Sequence, residues 1–467
     1  MTLGVVVLAA GLGTRMRSRT PKVLHRIAGR PLVGWVLAAL EGVSPGHVVV
    51  VVGHGADDVR AVLPEGTSTA LQAEQKGTGH AAQMGLAQLD AACDTVLLLC
   101  GDTPLLRPEL ITRLVGDHAS SGRAVTMVSA LLPDAGAYGR VLRDASGGVT
   151  GVVEARDATP EQLAVNEINA GIYIYDRAAL EGALQRVGSD NAQGEVYLPD
   201  TLPLVGGPIG ALVSDDPDVV AGVNTRVHLA ECEAVVQARL REAAMLAGVT
   251  MPDPGAVYLD ADVTLGQDTV VLPGVHLRAG TVVGADCVIG PDCVIEGSTI
   301  GDGAVVTSAH VLRSTVGPGA QVGPFAYLRP DTDLSAKGKI GTFVETKNSR
   351  IGERAKVPHL SYIGDADIGE GTNIGAGNIT ANYDGFRKHA TRIGARVKTG
   401  SDCVFVAPVV LGDDVMTAAG SIITEDIPDG ALGIARARQD NKEGFTVKAA
   451  QRAREAAEAE AAGKAGS

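Results

Sequence analysis

The chain has 467 residues, enough for two or three domains with cores of their own, and holds 60 glycines against an aromatic share of only 3%. Its formal charge of −14 excludes the broad basic face that nucleic-acid phosphates require, although clustered cations can still hold small anions. The amino-terminal apolar run is too short for a signal peptide and lacks its charged start, and no run reaches the roughly 18 apolar residues of a membrane span. The expectation is a soluble cytoplasmic protein with neither nucleic acid nor membrane insertion among its partners. From the amino terminus, apolar runs at residues 4–8, 48–52, 96–100, 124–130 and 171–175 read as strands. They alternate with helical patterns at residues 32–40 and 80–89. Residues 1–224 are therefore predicted to form a Rossmann-like, doubly wound α/β domain that binds ligands beyond the carboxyl ends of its strands.

Residues 225–248 follow as one amphipathic helix, with Leu229, Cys232, Val236, Leu240, Ala243 and Ala247 at helical spacing and Gly248 as its stop. This segment, 225–250, is the predicted linker. From about Val257 an aliphatic residue followed by glycine recurs in sixes, as at Val283 and Ile289, Val316 and Val322, Ile368 and Ile374. Such a period signals a β-helix of parallel hexapeptide strands, three hexapeptides to a triangular coil, over residues 251–438. Cys287 and Cys293 fall six apart within it, and none of the six cysteines forms a CxxC pair, so neither disulfides nor a thiolate metal site is expected. The phase breaks near Arg313 and between Asn378 and Arg392, where loops should leave the coil. Residues 439–467, rich in Ala, Glu and Gln, read as a mobile or loosely helical tail.

The most informative stretch is residues 8–22, LAAGLGTRMRSRTPK. Leu8 closes a strand, Ala10 leads into the turn, and Gly11 and Gly13 let the backbone bend and approach a ligand closely. Arg15 and Lys22 add two cations to a loop whose amides can face outward, as a polyphosphate requires. A dinucleotide fingerprint would need a third glycine where Met16 stands, and a Walker loop would need Gly-Lys-Ser/Thr. Asp102, in Cys-Gly-Asp-Thr-Pro just past a strand, can hold Mg²⁺ or merely start an Asx turn. Asn224 can cap the linker helix. The coil loops hold a dense polar string containing Arg329, Lys347, His359, Tyr362, Asn373, Asn382 and Tyr383. His359 supplies an imidazole, the side chain best suited to accept a proton from an attacking amine.

GxGTRM followed by Pro-Lys resembles the signature of the sugar-phosphate nucleotidylyltransferases. Over residues 3–438 the chain further resembles the bacterial family of bifunctional enzymes with glucosamine-1-phosphate N-acetyltransferase and N-acetylglucosamine-1-phosphate uridylyltransferase activity. It departs at Ala170 and Thr103, where Thr and Val are common. The resemblance implies a nucleotidyltransferase domain, a linker helix and a left-handed β-helix. It implies that Leu8, Ala10, Gly11 and Gly13 wrap UTP, that Arg15 holds the departing pyrophosphate, and that Lys22 meets charge on the transferred group. Gln72, Gly77 and Thr78 would meet the uracil side, and Gly139, Glu154 and Asn169 the sugar. Asn224 would join Asp102 as metal ligand, while still able to cap the helix. In the second site Arg329 and Lys347 would bind the phosphate of glucosamine-1-phosphate, Tyr362, Asn373 and Lys388 its sugar, and His359 would be the base. Acetyl-CoA would lie along Ala376, Asn382, Tyr383, Ser401, Ala419 and Arg436. N-Acetylglucosamine-1-phosphate would be the uridylyl acceptor, and a homotrimer is implied, with the acetyl site assembled between subunits. A reading in which the β-helix serves only oligomerisation or effector binding stands beside this one.

Overall fold

Valine and leucine runs buried on both faces form the centre of the amino-terminal sheet, where Val5, Val6, Val7, Val50, Leu97 and Leu98 are at most 1% exposed. The strand order is Ile209–Ser214, Val125–Leu131, Glu167–Asp176, Thr95–Cys100, Leu3–Leu8, His47–Val52, Ser68–Leu71. All neighbours are parallel except Glu167–Asp176, which runs against both of its partners. Its pairing with Val125–Leu131 slips between Asn169 and Tyr173, around Gly171 at φ 72°. A short ribbon, Arg140–Arg143 with Val149–Val153, adds to this side. Helices Leu32–Ala38, Thr78–Gln88 and Pro108–Ser121 lie where the chain crosses between strands. The sheet is thus mixed rather than purely parallel, and the carboxyl ends of its central strands face one rim.

The structure is a computed structural model that describes residues 1–465; the last two residues of the predicted tail lie outside the described residues. It comprises two units, residues 1–303 and residues 304 onward. In the first, the linker helix runs Arg226–Leu246, capped by Thr225 accepting from the His228 amide at 3.2 Å. Cys232 and Val236 of this helix are buried against Met16, Leu105 and Val223, so the helix packs behind the glycine loop. Gly248, at φ 99°, ends it. The same unit then begins coiling: Val257 pairs with Val275, Thr264 with Val282 and Val270 with Val288, all parallel and each pair three hexapeptides apart in sequence. Val271, Val283, Cys287, Ile289, Cys293 and Ile295 point inward and are at most 2% exposed, so both cysteines occupy ordinary inward repeat positions. Left-handed residues such as Asp268, Asp286 and Asp292 turn corners.

The second unit coils with less regular spacing. Val305 pairs with Gln321, His310 with Tyr327 and Thr315 with Asp333, giving turns of unequal length, the first two shorter than the third. The break near Arg313 is therefore made by removing corner residues, with Arg313 itself at φ 44°, and no loop leaves the coil there. The break beyond Asn378 is a loop. Asp367 pairs with Arg392 and Ile379 with Val404, each a wider step than a regular turn, and the excess is the excursion 382–390. A helix, Phe445–Ala465, ends the described chain, its described side chains exposed.

Candidate active sites

The strand Leu3–Leu8 ends at the rim of a cavity of about 440 Å³. Leu8, Ala10, Gly11, Gly13, Arg15, Lys22, Gln72, Gly77, Thr78, Asp102 and Asn224, the expected nucleotide and metal residues, all line it. Gly13 adopts φ 59°, and a Cβ there would stand 2.7 Å from the Cβ of Lys22. Glycine is thus needed twice over, for the left-handed turn and for the approach of the lysine. The turn is closed by the Met16 amide donating to Gly13 and the Arg17 amide donating to Thr14, at 2.9 and 3.1 Å.

The Val223 amide donates to the Asp102 carbonyl at 2.9 Å, and this one backbone bond brings Asn224 beside Asp102. Lys22 Nζ donates to Asp102 Oδ2 and, at 3.3 Å, to Asn224 Oδ1, while an Arg15 guanidinium nitrogen reaches the same Oδ1 at 2.8 Å. Two cations and two oxygen acceptors thus form one chain at the cavity mouth. Because Thr225 caps the helix, Asn224 is released from that task and turns its amide into the site. Cys100 also lines the cavity, but burial and the nearby Asp102 charge push its thiol up to about 12, leaving it protonated and inert.

Gln72 is 3% exposed and its amide nitrogen is already engaged by the Gly77 carbonyl and His80 Nδ1, both at 3.1 Å. Gly77, at φ 103°, lies so close to the Val196 carbonyl that a Cβ would meet it at 2.5 Å. Thr78 accepts from the Leu198 amide at 3.0 Å. This contact with the 196–198 stretch brings Glu195 to the cavity, a residue with no motif to announce it. Gln75, also in the lining, lies within the same polar string as Gln72. Gly139, Glu154 and Asn169 are absent from that lining but meet one another. The Asn169 amide donates to the Gly139 carbonyl at 2.9 Å, and a Cβ on Gly139 would lie 3.2 Å from Glu154. Burial, with Asp200 and Asp157 nearby, raises the Glu154 carboxyl above its usual value.

In the second unit the coil register sorts the expected residues into two columns. In one, Thr342 pairs with His359, the Gly377 amide donates to the His359 carbonyl at 3.3 Å, and the Asp402 amide donates to Ala376 at 2.8 Å. The Gly420 amide then donates to Ser401 at 2.8 Å, and Gly420 leads on to the Arg436 side chain. The exposed imidazole of His359 therefore stands at the foot of a strip of small residues, Ala376, Ser401 and Ala419, that ends near an arginine. In the other column Lys347 pairs with Gly364, and Arg329 bonds Glu345 at 2.9 Å. Tyr362 follows Glu345 in register, and Lys388, from the excursion, touches Lys347. Asn382 bonds Asp365, Tyr383 donates to the Gly385 carbonyl at 2.7 Å, and Asn373 bridges strands at Lys356 and Lys398.

A glycine-and-cation loop on a mixed α/β sheet, followed by hexapeptide coils bearing a second polar site, defines a nucleotidyltransferase joined to a hexapeptide transferase. Comparison with known proteins agrees on both halves. Residues 5–144 match the MobA-like NTP transferase domain, and residues 262–297 match the bacterial transferase hexapeptide (six repeats). The chain is 50% identical over 452 residues to Bifunctional protein GlmU of Streptomyces avermitilis, covering 95% of this chain and 94% of that protein. It is 51% identical over 450 residues to that of Kineococcus radiotolerans, covering 95% and 91%. The Trichlorobacter lovleyi protein is 46% identical over 452 residues, covering 95% and 98%. The chain belongs to the GlmU family of bifunctional enzymes, with nucleotidyltransferase and acetyltransferase activities that serve UDP-N-acetylglucosamine synthesis.

Proposed function

We propose a division of labour in which residues of the second unit acetylate glucosamine-1-phosphate and residues of the first join the product to UTP. In the acetyl step the sugar amine attacks the thioester carbonyl of acetyl-CoA. The C–S bond breaks, and the amine proton passes to His359 as CoA leaves, a contribution of roughly 10²–10⁴-fold. Arg329 and Lys347 hold the phosphate end, and Tyr362, Asn373 and Lys388 the sugar. The small-residue strip and Arg436, with Asn382 and Tyr383, take acetyl-CoA. In the uridylyl step a phosphate oxygen of N-acetylglucosamine-1-phosphate attacks the α-phosphorus of UTP and the bond to the β-phosphate breaks. Arg15 and Lys22 offset charge on the leaving pyrophosphate and the transferred group. Gln72, Gly77 and Thr78 set the base, and Gly139, Glu154 and Asn169 set the sugar.

The observation that most supports the reading is the Arg15–Asn224–Lys22–Asp102 chain, cations and oxygen acceptors alternating at the rim of one cavity. Its donor set also fits Mg²⁺. Asp102 and Asn224 supply a carboxylate and an amide oxygen that already converge on one ammonium. Among the described residues no group of three or more His, Cys, Asp or Glu gathers for a metal, so water and phosphate oxygens would complete the shell, as this ion prefers. When bound, it would supply charge neutralisation at the phosphates. The domain limits that go with this reading are 1–224, 225–250, 251–438 and 439–467. Among the described residues no helix is long and apolar enough to cross a membrane. The reading takes the enzyme as cytoplasmic and its assembly as a homotrimer. One assay tests the chemistry. Thiol release from acetyl-CoA must depend on glucosamine-1-phosphate, and pyrophosphate release from UTP must depend on the acetylated product and a divalent ion. Failure of either dependence removes that half.

A further inference from the structure

Asp365 belongs to none of the residues assigned above, yet it touches several of them. Its carboxylate is only 11% exposed, and it accepts from Asn348 Nδ2 at 2.6 Å and from Asn382 Nδ2, with Lys347 Nζ 3.7 Å away. Its backbone carbonyl accepts from the Thr391 amide at 3.1 Å. Asn382 opens the excursion from the coil and Thr391 is the first residue of the strand after it, so a single residue ties both flanks. That excursion carries Tyr383 and Lys388. Its interior is held by its own Asp384, which accepts from the amides of Phe386 and Arg387 and from His389 at 2.8, 2.6 and 2.7 Å. The loop is thus a preformed unit fastened at its base. We propose that Asp365 is a positioning residue of the acetyl-transfer site, anchoring the 382–390 loop over the phosphate grip and offsetting the repulsion between Lys347 and Lys388. The proposal rests on the reading that these lysines bind the sugar phosphate.

Electrostatics agree with this geometry. The groups facing Lys388 are Lys347, Asp365 and Arg329, two cations against one carboxylate. The Lys347 amine beside it pushes Lys388 below its usual value, and the Asp365 charge works the other way. Burial would raise the Asp365 carboxyl, but bonds from Asn348 and Asn382 and the charges of Lys347 and Lys388 outweigh it and hold the group below the usual carboxylate range. The anionic form is therefore present across the working pH range, where the two lysines need it.

The test compares full-length wild type with Asp365→Asn. In glucosamine-1-phosphate-dependent release of CoA thiol, KM for the sugar phosphate should rise roughly tenfold or more, the scale of losing a bond to a charged group, with kcat falling by a smaller factor. The alkaline limb of kcat/KM should move to lower pH, because without the carboxylate Lys388 gives up its proton more readily. Trypsin should cut faster after Arg387 or Lys388. Pyrophosphate release from UTP by the same preparation reports that the chain is folded. Wild-type kinetics together with wild-type cleavage in the variant overturn the proposal. Loss of kcat with KM and pH limb unmoved also overturns it, since that would be a disturbance reaching His359 rather than the loop. If wild type itself releases no thiol, the acetyl-transfer reading fails instead, and the cleavage comparison alone decides the anchor. Should Asp365→Asn not fold, Asn348→Ala removes one donor and leaves the charge. It should move KM and cleavage the same way by a smaller factor, and movement in neither overturns the assignment.

Discussion

Lys22 shows how one side chain serves two states. In the structure its ammonium bonds Asp102 and Asn224, with side chains 15% and 20% exposed for Lys22 and Asp102. Such a largely covered pair adds little to stability, because desolvating both charges and ordering two side chains offsets most of their attraction. Its worth lies in charge held ready for a polyphosphate. Lys22→Ala should lower kcat for pyrophosphate release on the order of 10²–10³-fold, the scale of removing one preorganised charge-stabilising donor. Its thermal midpoint should stay near wild type. A large fall in the midpoint with kcat intact would reverse that assignment. At this scale the glycine loop was legible, since Gly11, Gly13, Arg15 and Lys22 are local in sequence and only glycine suits the turn at Gly13. The side to which Asn224 turns was not. A cap and a ligand both call for asparagine, and the choice is made by Thr225 taking the cap and by a backbone bond from Val223 to the distant Asp102.

Elements differ in how plainly their sequences declare them. The inner strands of the sheet are apolar runs, and the coils repeat in hexapeptides because each inward aliphatic contributes roughly 1.5–3 kcal/mol of burial, which fixes the period. The antiparallel course of Glu167–Asp176 leaves no such mark, since a strand buried on both faces reads alike in either direction. Its first residue holds the ribbon beside it. Glu167 accepts from Ser129 at 2.6 Å and from Arg143 Nε and a terminal nitrogen at 2.7 and 2.6 Å. Burial alone would raise its carboxyl, but these bonds prevail and keep it below the usual value. The native state therefore binds fewer protons than the unfolded state near pH 4, so this contribution is full above the unfolded value of about 4.3 and fades as pH falls through the lower native one. Glu167→Gln should unfold at lower urea than wild type at pH 7, and the gap between the two should shrink toward pH 3. A gap independent of pH would show that the carboxylate charge has no part in it.

Across the whole chain, the point at which the nucleotidyltransferase becomes self-sufficient is a question of packing rather than motif. Every motif of the first site lies by Asn224, so sequence places a natural end there. The core disagrees. Cys232 and Val236 of the linker helix are 2% and 3% exposed and bury Met16, Leu105 and Val223, three residues that flank the glycine loop, Asp102 and Asn224. A chain stopped at residue 224 strips that apolar cover, and each core side chain so exposed forfeits roughly 1.5–3 kcal/mol, against a total stability of only about 5–15 kcal/mol. A chain stopped at Gly303 keeps the helix and the first coils, the limit of the first compact unit. Residues 1–303 should therefore release pyrophosphate from UTP at a rate close to the full chain, whereas residues 1–224 should be poorly soluble or lose most of that rate. Far-ultraviolet dichroism of both fragments separates a fold defect from a missing catalytic group. Full activity in the shorter fragment would mean that the helix behind the loop is dispensable, and the phosphate loop would then owe its shape to its own glycines alone.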